Sequence, residues 1–201
     1  MPLQQEEQPR RYTYADYLTW PEGCHIELID GIPYRYGEVV TDIPESITMQ
    51  ATPTRHHQKV SGALFNQVYN FLKGKPCEAY AAPFTVRLGE EDDNGPTVEP
   101  DIVVVCDRSK LDDKGCKGAP DLVVEILSPS TARVDRIIKF NKYQQAGVKE
   151  YWIVDPDTMT AQVCVLNNGQ YILSAYGDTD TAPVTVLPGC TINLQDVFAE
   201  E

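Results

Sequence analysis

Two carboxylates stand beside apolar runs that could carry metal chemistry. Asp101 opens Asp101-Ile102-Val103-Val104-Val105, and Glu125 lies inside Leu122-Val123-Val124-Glu125-Ile126-Leu127. Runs without polar alternation predict strands covered on both faces. An ionised carboxylate buried there without a partner costs roughly several kcal/mol, so each acid needs a cation, hydrogen-bond donors or water. One shared divalent metal would serve both, and oxygen ligands of this kind suit Mg²⁺, with Mn²⁺ as the alternative. Glu125 is the stronger candidate because aliphatic residues flank it on both sides. Asp101 follows Pro100 and has a simpler reading as a turn residue at a strand start. The chain contains neither Gly-x-x-x-x-Gly-Lys nor Gly-x-Gly-x-x-Gly, which argues against nucleoside triphosphate or dinucleotide binding.

The elements that must position these acids follow from periodicity and turn signals. Thr13-Tyr14-Ala15-Asp16 reads as a capping box opening a short helix before Pro21. Residues 25–31 and 32–36 read as a hairpin turning at Asp30-Gly31. Residues 37–53 read as a loop with room for one short strand. Val60, Leu64, Val68 and Phe71 recur at helical spacing, predicting a first long helix over 54–72. Strands are expected at 77–82 and 84–88, then an acidic loop at 89–96 and a polar link over 107–119 between the carboxylate-bearing strands. A second helix is predicted from Ser130 or Thr131 to Ala146 with Gly147 as its C-cap, followed by a buried strand at 150–155. A hairpin at 161–166 and 170–176, a strand at 184–187 and a terminal helical turn at 194–198 complete the chain. This order predicts an α/β or α+β domain with a central mixed sheet flanked by helices and extended by the C-terminal β-hairpin.

The 201 residues suit one domain over 12–201 after a disordered lead-in at 1–11, and 42% hydrophobic with 23% charged residues is ordinary globular composition. No stretch approaches the roughly 18 apolar residues of a membrane span, and the polar start lacks a signal peptide's apolar centre, so a cytoplasmic location is expected. The six scattered cysteines lack zinc-site spacing and are expected as reduced core or surface thiols, with disulfides as the alternative. A net charge of −13 weighs against general nucleic-acid binding, although a metal site concentrates carboxylates that its cation neutralises.

Several segments together carry a resemblance: Glu27-Leu28-Ile29-Asp30-Gly31, His57 ahead of Val60, Glu99-Pro100-Asp101, Pro120 to Glu125, Ser128-Pro129-Ser130, Lys139 ahead of Tyr143, and Ala146-Gly147-Val148 leading into Glu150-Tyr151-Trp152. In this order they resemble the restriction-endonuclease-like family within the PD-(D/E)xK nuclease superfamily, over about residues 12 to 198. The resemblance implies a restriction-endonuclease-like core and a Mg²⁺-dependent endonuclease acting on DNA. It implies Asp101 and Glu125 as metal ligands, with the carbonyl of Ile126 adding another. Leu127 stands where the superfamily pattern expects lysine, and the resemblance points instead to Lys139 on the following helix, to orient the attacking water or stabilise charge. Glu27 would add an outer carboxylate, and His57 would touch the phosphate or the metal's outer water. Read without the resemblance, Lys139 is an ordinary i,i+4 partner of Asp135, Glu27 a solvated hairpin residue and His57 a surface or capping residue.

Two other functions fit the same residues. One is a catalytically inactive nuclease-fold interaction protein; the other is a metal-dependent hydrolase of a small phosphate ester, which suits an acidic surface better than duplex DNA does. A homodimer would fit cleavage of both strands of a duplex.

Overall fold

The computed structural model of the chain describes residues 10–21, 23–43, 53–89 and 95–199. The expected lead-in therefore lies largely outside the described residues, as do much of the 37–53 loop and the centre of the acidic loop at 89–96.

Thr13 and Asp16 form the expected capping box at α1 (Tyr14–Tyr17). β1 (Glu27–Ile29) and β2 (Ile32–Arg35) pair antiparallel across Asp30-Gly31, both at positive φ (54° and 76°), the backbone that a two-residue hairpin turn demands. β3 (Glu38–Val39) folds back on β2 through Tyr36-Gly37. Gly37 is required there: a Cβ would collide with the backbone of Ser130, so the second turn can lie directly on the strand-to-helix connection.

α2 (Arg55–Leu72) starts at Thr54, whose hydroxyl accepts the amide N–H of His57, and buries Val60, Leu64, Val68 and Leu72 along one face. β4 (Glu78–Ala81), β5 (Val86–Arg87), β6 (Thr97–Val98) and β7 (Ile102–Val105) follow. The link at 107–119 is more ordered than its polarity suggests, carrying a 3₁₀ turn and the hairpin of β8 (Leu111–Asp112) and β9 (Gly115–Lys117). Next come β10 (Leu122–Ile126), a π-helical turn (Val134–Lys139) and α3 (Phe140–Ala146), which ends on Gly147 at φ 86°. The chain closes with β11 (Glu150–Asp155), β12 (Thr160–Asn167), β13 (Gln170–Gly177), β14 (Thr181–Pro183), β15 (Thr191–Asn193) and α4 (Leu194–Phe198).

Among the described residues, six strands form the central sheet in the order β13-β12-β11-β10-β7-β4, with β10 and β11 parallel and the other pairs antiparallel. This is the expected mixed sheet, and the β12–β13 hairpin extends it. A second sheet of seven short strands runs β3-β2-β1-β6-β5-β9-β8. All residues of β7 and β10 are buried, as their composition requires. Alternation then sorts their side chains. Leu122, Val124 and Ile126 pack with α2, whereas Val123 and Leu127 pack with Val134, Tyr143 and Tyr151 on the other face. Glu125 shares the parity of Val123 and Leu127, so it enters the face that the π-helical turn and α3 cover.

Two expectations need correction. Residues 184–187 are a turn, not a strand: the Val184 N–H donates to Cys190 and the Leu187 N–H to Val184, while both side chains stay buried. Burial without a pairing partner reproduces the apolar signature of a strand. Cys77 and Cys106 are disulfide-bonded, since they sit at the end of the β4–β7 register where Glu78 faces Val105; the other four cysteines are free and buried. No described helix is long and apolar enough to cross a membrane.

Candidate active site

Asp101 and Glu125 are brought together by strand register. Val124 faces Ile102 in the antiparallel β7–β10 pair, so the next step along sets Glu125 across from Asp101. The Ile126 N–H donates to Asp101 Oδ2 at 2.7 Å, which fixes that carboxylate at the strand end.

Lys139 reaches the same point from the following helix. Its Nζ lies 2.9 Å from Glu125 Oε1, 2.8 Å from Glu27 Oε1 and 3.3 Å from Asp135 Oδ1. The π-helical turn widens the helix where Asp135 and Lys139 project, and such bulges are frequent at functional sites. Leu127, at the position where a lysine was expected, is buried in the core with Tyr143. Tyr143 lies one turn beyond Lys139 and donates its hydroxyl to Glu125 Oε1 at 2.7 Å. Both donors thus fall on Oε1, leaving Oε2 without a protein donor among the described residues.

Glu27 projects from β1 and also accepts the Glu99 N–H at 2.9 Å, tying the first hairpin to the strand that carries Asp101. His57, in the first turn of α2, places Nε2 3.1 Å from the Ile126 carbonyl oxygen and 3.4 Å from Asp101 Oδ1. All six residues singled out from the sequence, Glu27, His57, Asp101, Glu125, Ile126 and Lys139, line one cleft of about 550 Å³.

Four carboxylates, of Glu27, Asp101, Glu125 and Asp135, therefore face one ammonium. Burial opposes charge on Lys139, but Glu125, Glu27 and Asp135 outweigh it and push its pKa well above the usual lysine range. Burial pushes Glu125 well above the ordinary carboxylate value; Lys139 offsets this in part, while Asp135, Asp101 and Glu27 add to it. Glu27 is raised for the same first reason, again countered by Lys139. Burial lowers His57, yet Asp101 and the Ile126 carbonyl carry it above its ordinary value. The cleft holds excess negative charge, and a divalent cation would relieve it.

The residues fit such a cation. The Asp101 carboxylate, Glu125 Oε2 and the Ile126 carbonyl are hard oxygen donors, whereas Asp135 Oδ1, buried without a hydrogen bond among the described residues, faces Lys139 Nζ at 3.3 Å. No group of three or more His, Cys, Asp or Glu side chains among those residues is arranged to hold a metal. Two carboxylates and a carbonyl would leave the remaining positions around such a cation to water.

Sequence reasoning missed three participants. Asp135 was read only as a partner of Lys139, and Tyr143 only as part of a motif; their i,i+4 spacing about Lys139 was the available signal. His25 carried no signal. It meets Glu99 through tertiary packing, with Nδ1 2.9 Å from Glu99 Oε2 on the cleft wall.

Comparison with known proteins agrees with this architecture. The family model Uma2, described as "Putative restriction endonuclease", matches residues 14–195, a span that includes every residue of the cleft. A crystal structure described as a "putative nuclease belonging to DUF820" from Anabaena variabilis ATCC 29413 superposes with a TM-score of 0.70, covering 93% of this chain and 97% of that one. At 19% identity that likeness speaks for the fold alone. No curated protein matches the sequence. The mixed sheet, the flanking helices and the family match make one conclusion: the chain belongs to the Uma2 family and has a restriction-endonuclease-like nuclease fold.

Proposed function

We propose that the protein is a divalent-metal-dependent endonuclease that hydrolyses DNA phosphodiester bonds in this cleft. The observation that carries the reading is Lys139 Nζ at 2.9 Å from Glu125 Oε1, where a helix supplies the ammonium that Leu127 cannot. Asp101, Glu125 and the Ile126 carbonyl would hold Mg²⁺, with Mn²⁺ as a substitute. Such a cation would supply activation of a water for attack and neutralisation of charge gathering on the phosphate.

The chain's own residues do the rest. Tyr143 and Lys139 fix Glu125 Oε1, so Oε2 is the oxygen that would be left for a cation. Lys139 stays protonated among its three carboxylates, so it acts as a fixed positive charge that orients the attacking water and stabilises the transition state. Glu27 anchors Lys139 and the Glu99 backbone together. His57 contacts the phosphate or the outer water from the start of α2. Cutting both strands of a duplex calls for two such clefts, which a homodimer supplies.

The test is cleavage of supercoiled plasmid and single-stranded DNA with Mg²⁺, Mn²⁺ or EDTA, comparing wild type with Asp101→Ala and Glu125→Ala. The expected result is metal-dependent cutting that falls at least about 100-fold in each variant. Cutting in EDTA, or wild-type rates in both variants, would overturn the reading. The net charge of −13 favours one second reading, hydrolysis of a smaller phosphate ester. Salt separates the two, because polyanion binding weakens steeply with ionic strength and small-substrate binding does not.

A further inference from the structure

The nuclease reading, on which this inference rests, leaves one demand of the reaction unassigned: a proton for the departing oxygen. An alkoxide is a poor leaving group in water-like surroundings, and a positioned acid is worth about 100-fold or more in rate. The cleft's other nitrogen acids are already engaged. Lys139 is shared among Glu27, Glu125 and Asp135, and His57 Nε2 is held between Ile126 and Asp101. His25 differs: Nδ1 bonds Glu99, Nε2 has no partner among the described residues and the side chain is open to the cleft, whereas the partnerless Nδ1 of His57 is buried.

We propose that His25, held by Glu99, is the acid that protonates the leaving oxygen. Three observations converge on it. Its side chain lines the same cleft as the carboxylates and keeps 31% exposure, so a substrate can reach it. Its backbone sits at φ 47°, a left-handed conformation unfavourable for a residue with a Cβ, which the surrounding structure holds in place. Its partner Glu99 is locked to the lysine: the Glu99 N–H donates to Glu27 Oε1 at 2.9 Å, and that oxygen lies 2.8 Å from Lys139 Nζ. One short chain of bonds thus sets the distance between the imidazole and the ammonium.

The chemistry balances without a co-reactant beyond water. The water oxygen forms a bond to phosphorus and gives up one proton to solvent, while the bond from phosphorus to the leaving oxygen breaks. That bond's electron pair stays on the departing oxygen, which takes the proton from His25 Nε2. The Glu99 carboxylate, bonded at Nδ1, keeps the ring oriented with Nε2 toward the cleft. The neutral imidazole regains a proton from solvent.

A leaving-group comparison tests this. Wild type, His25→Gln and Glu99→Gln are assayed with Mn²⁺ on plasmid DNA and on bis(4-nitrophenyl) phosphate, whose nitrophenolate departs without a proton. The expected result is a loss of about 100-fold or more on DNA for His25→Gln, a smaller loss for Glu99→Gln, and nitrophenyl ester rates within about threefold of wild type for both. Parallel losses on both substrates would assign His25 to structure or binding and overturn the proposal, as would an undiminished rate on DNA. Wild type that cuts neither substrate overturns the nuclease reading itself, an outcome distinct from either of these.

Discussion

Lys139 and Glu150 show two ways this protein keeps a charge inside. Lys139 is held by three carboxylates in a cleft, an arrangement that a metal and a substrate can enter. Glu150 is fully buried on the far side of β10 and only satisfies donors, accepting from Trp152 Nε1 at 2.6 Å and the Val186 N–H at 2.8 Å. Burial raises its pKa above the ordinary carboxylate value, against the lowering effect of Trp152, Val186 and Thr185. The folded state therefore keeps the Glu150 proton over a pH range where the unfolded chain has released it, so this group's contribution to stability falls as pH rises through that range. Urea midpoints measured from about pH 4.5 upward should decline less steeply in Glu150→Gln than in wild type, the remaining slope belonging to Glu27 and Glu125; an identical pH slope in both would contradict the assignment. At this scale the sequence was partly legible. Glu125 stood out because aliphatic neighbours made its burial expensive. Lys139 stood out only by resemblance, because a lysine four residues from an aspartate is ordinary on any helix. His25 was invisible, since nothing local links it to Glu99.

Elements were more legible than their details. Thr54, the spacing of Val60, Leu64 and Val68, and the Asp30-Gly31 turn each encode their structure locally, and α2 and the first hairpin formed where expected. The strand read at 184–187 failed because a buried turn and a strand share the same apolar composition. The widened turn at Val134–Lys139 was hidden, as a π-helix differs from an α-helix by one residue and no composition marks it. That extra residue predicts a test. Ile137 is 55% exposed within the turn, so deleting it should restore α-helical pitch at little cost to packing. Helicity by circular dichroism should persist, while rotation of about 100° between Asp135 and Lys139 should cut cleavage at least tenfold. Cleavage at the wild-type rate would show that the π-helical turn does not set the lysine.

For the molecule as a whole, composition excluded a rod and a disordered chain, and the order of elements pointed to the mixed sheet. It did not show the second sheet, whose strands are only two to four residues long and pair through tertiary register. Nor did scattered cysteines reveal that Cys77 and Cys106 close the edge pair of the central sheet. Thiol titration of the unfolded, unreduced protein should count four reactive cysteines, rising to six after reduction. A crosslink over a separation of 29 residues should add about 3–4 kcal/mol to stability, read as a lower urea midpoint on reduction. Six thiols before reduction would contradict the bond.

The central claim joins all three scales: a lysine from a helix completes a carboxylate pair on two strands, inside a nuclease fold. Plasmid cleavage by Lys139→Ala beside wild type, with Mg²⁺ binding followed by calorimetry on the same samples, tests it most directly. Cutting should fall at least about 100-fold while the variant still binds the cation. Cleavage by Lys139→Ala at the wild-type rate would contradict it.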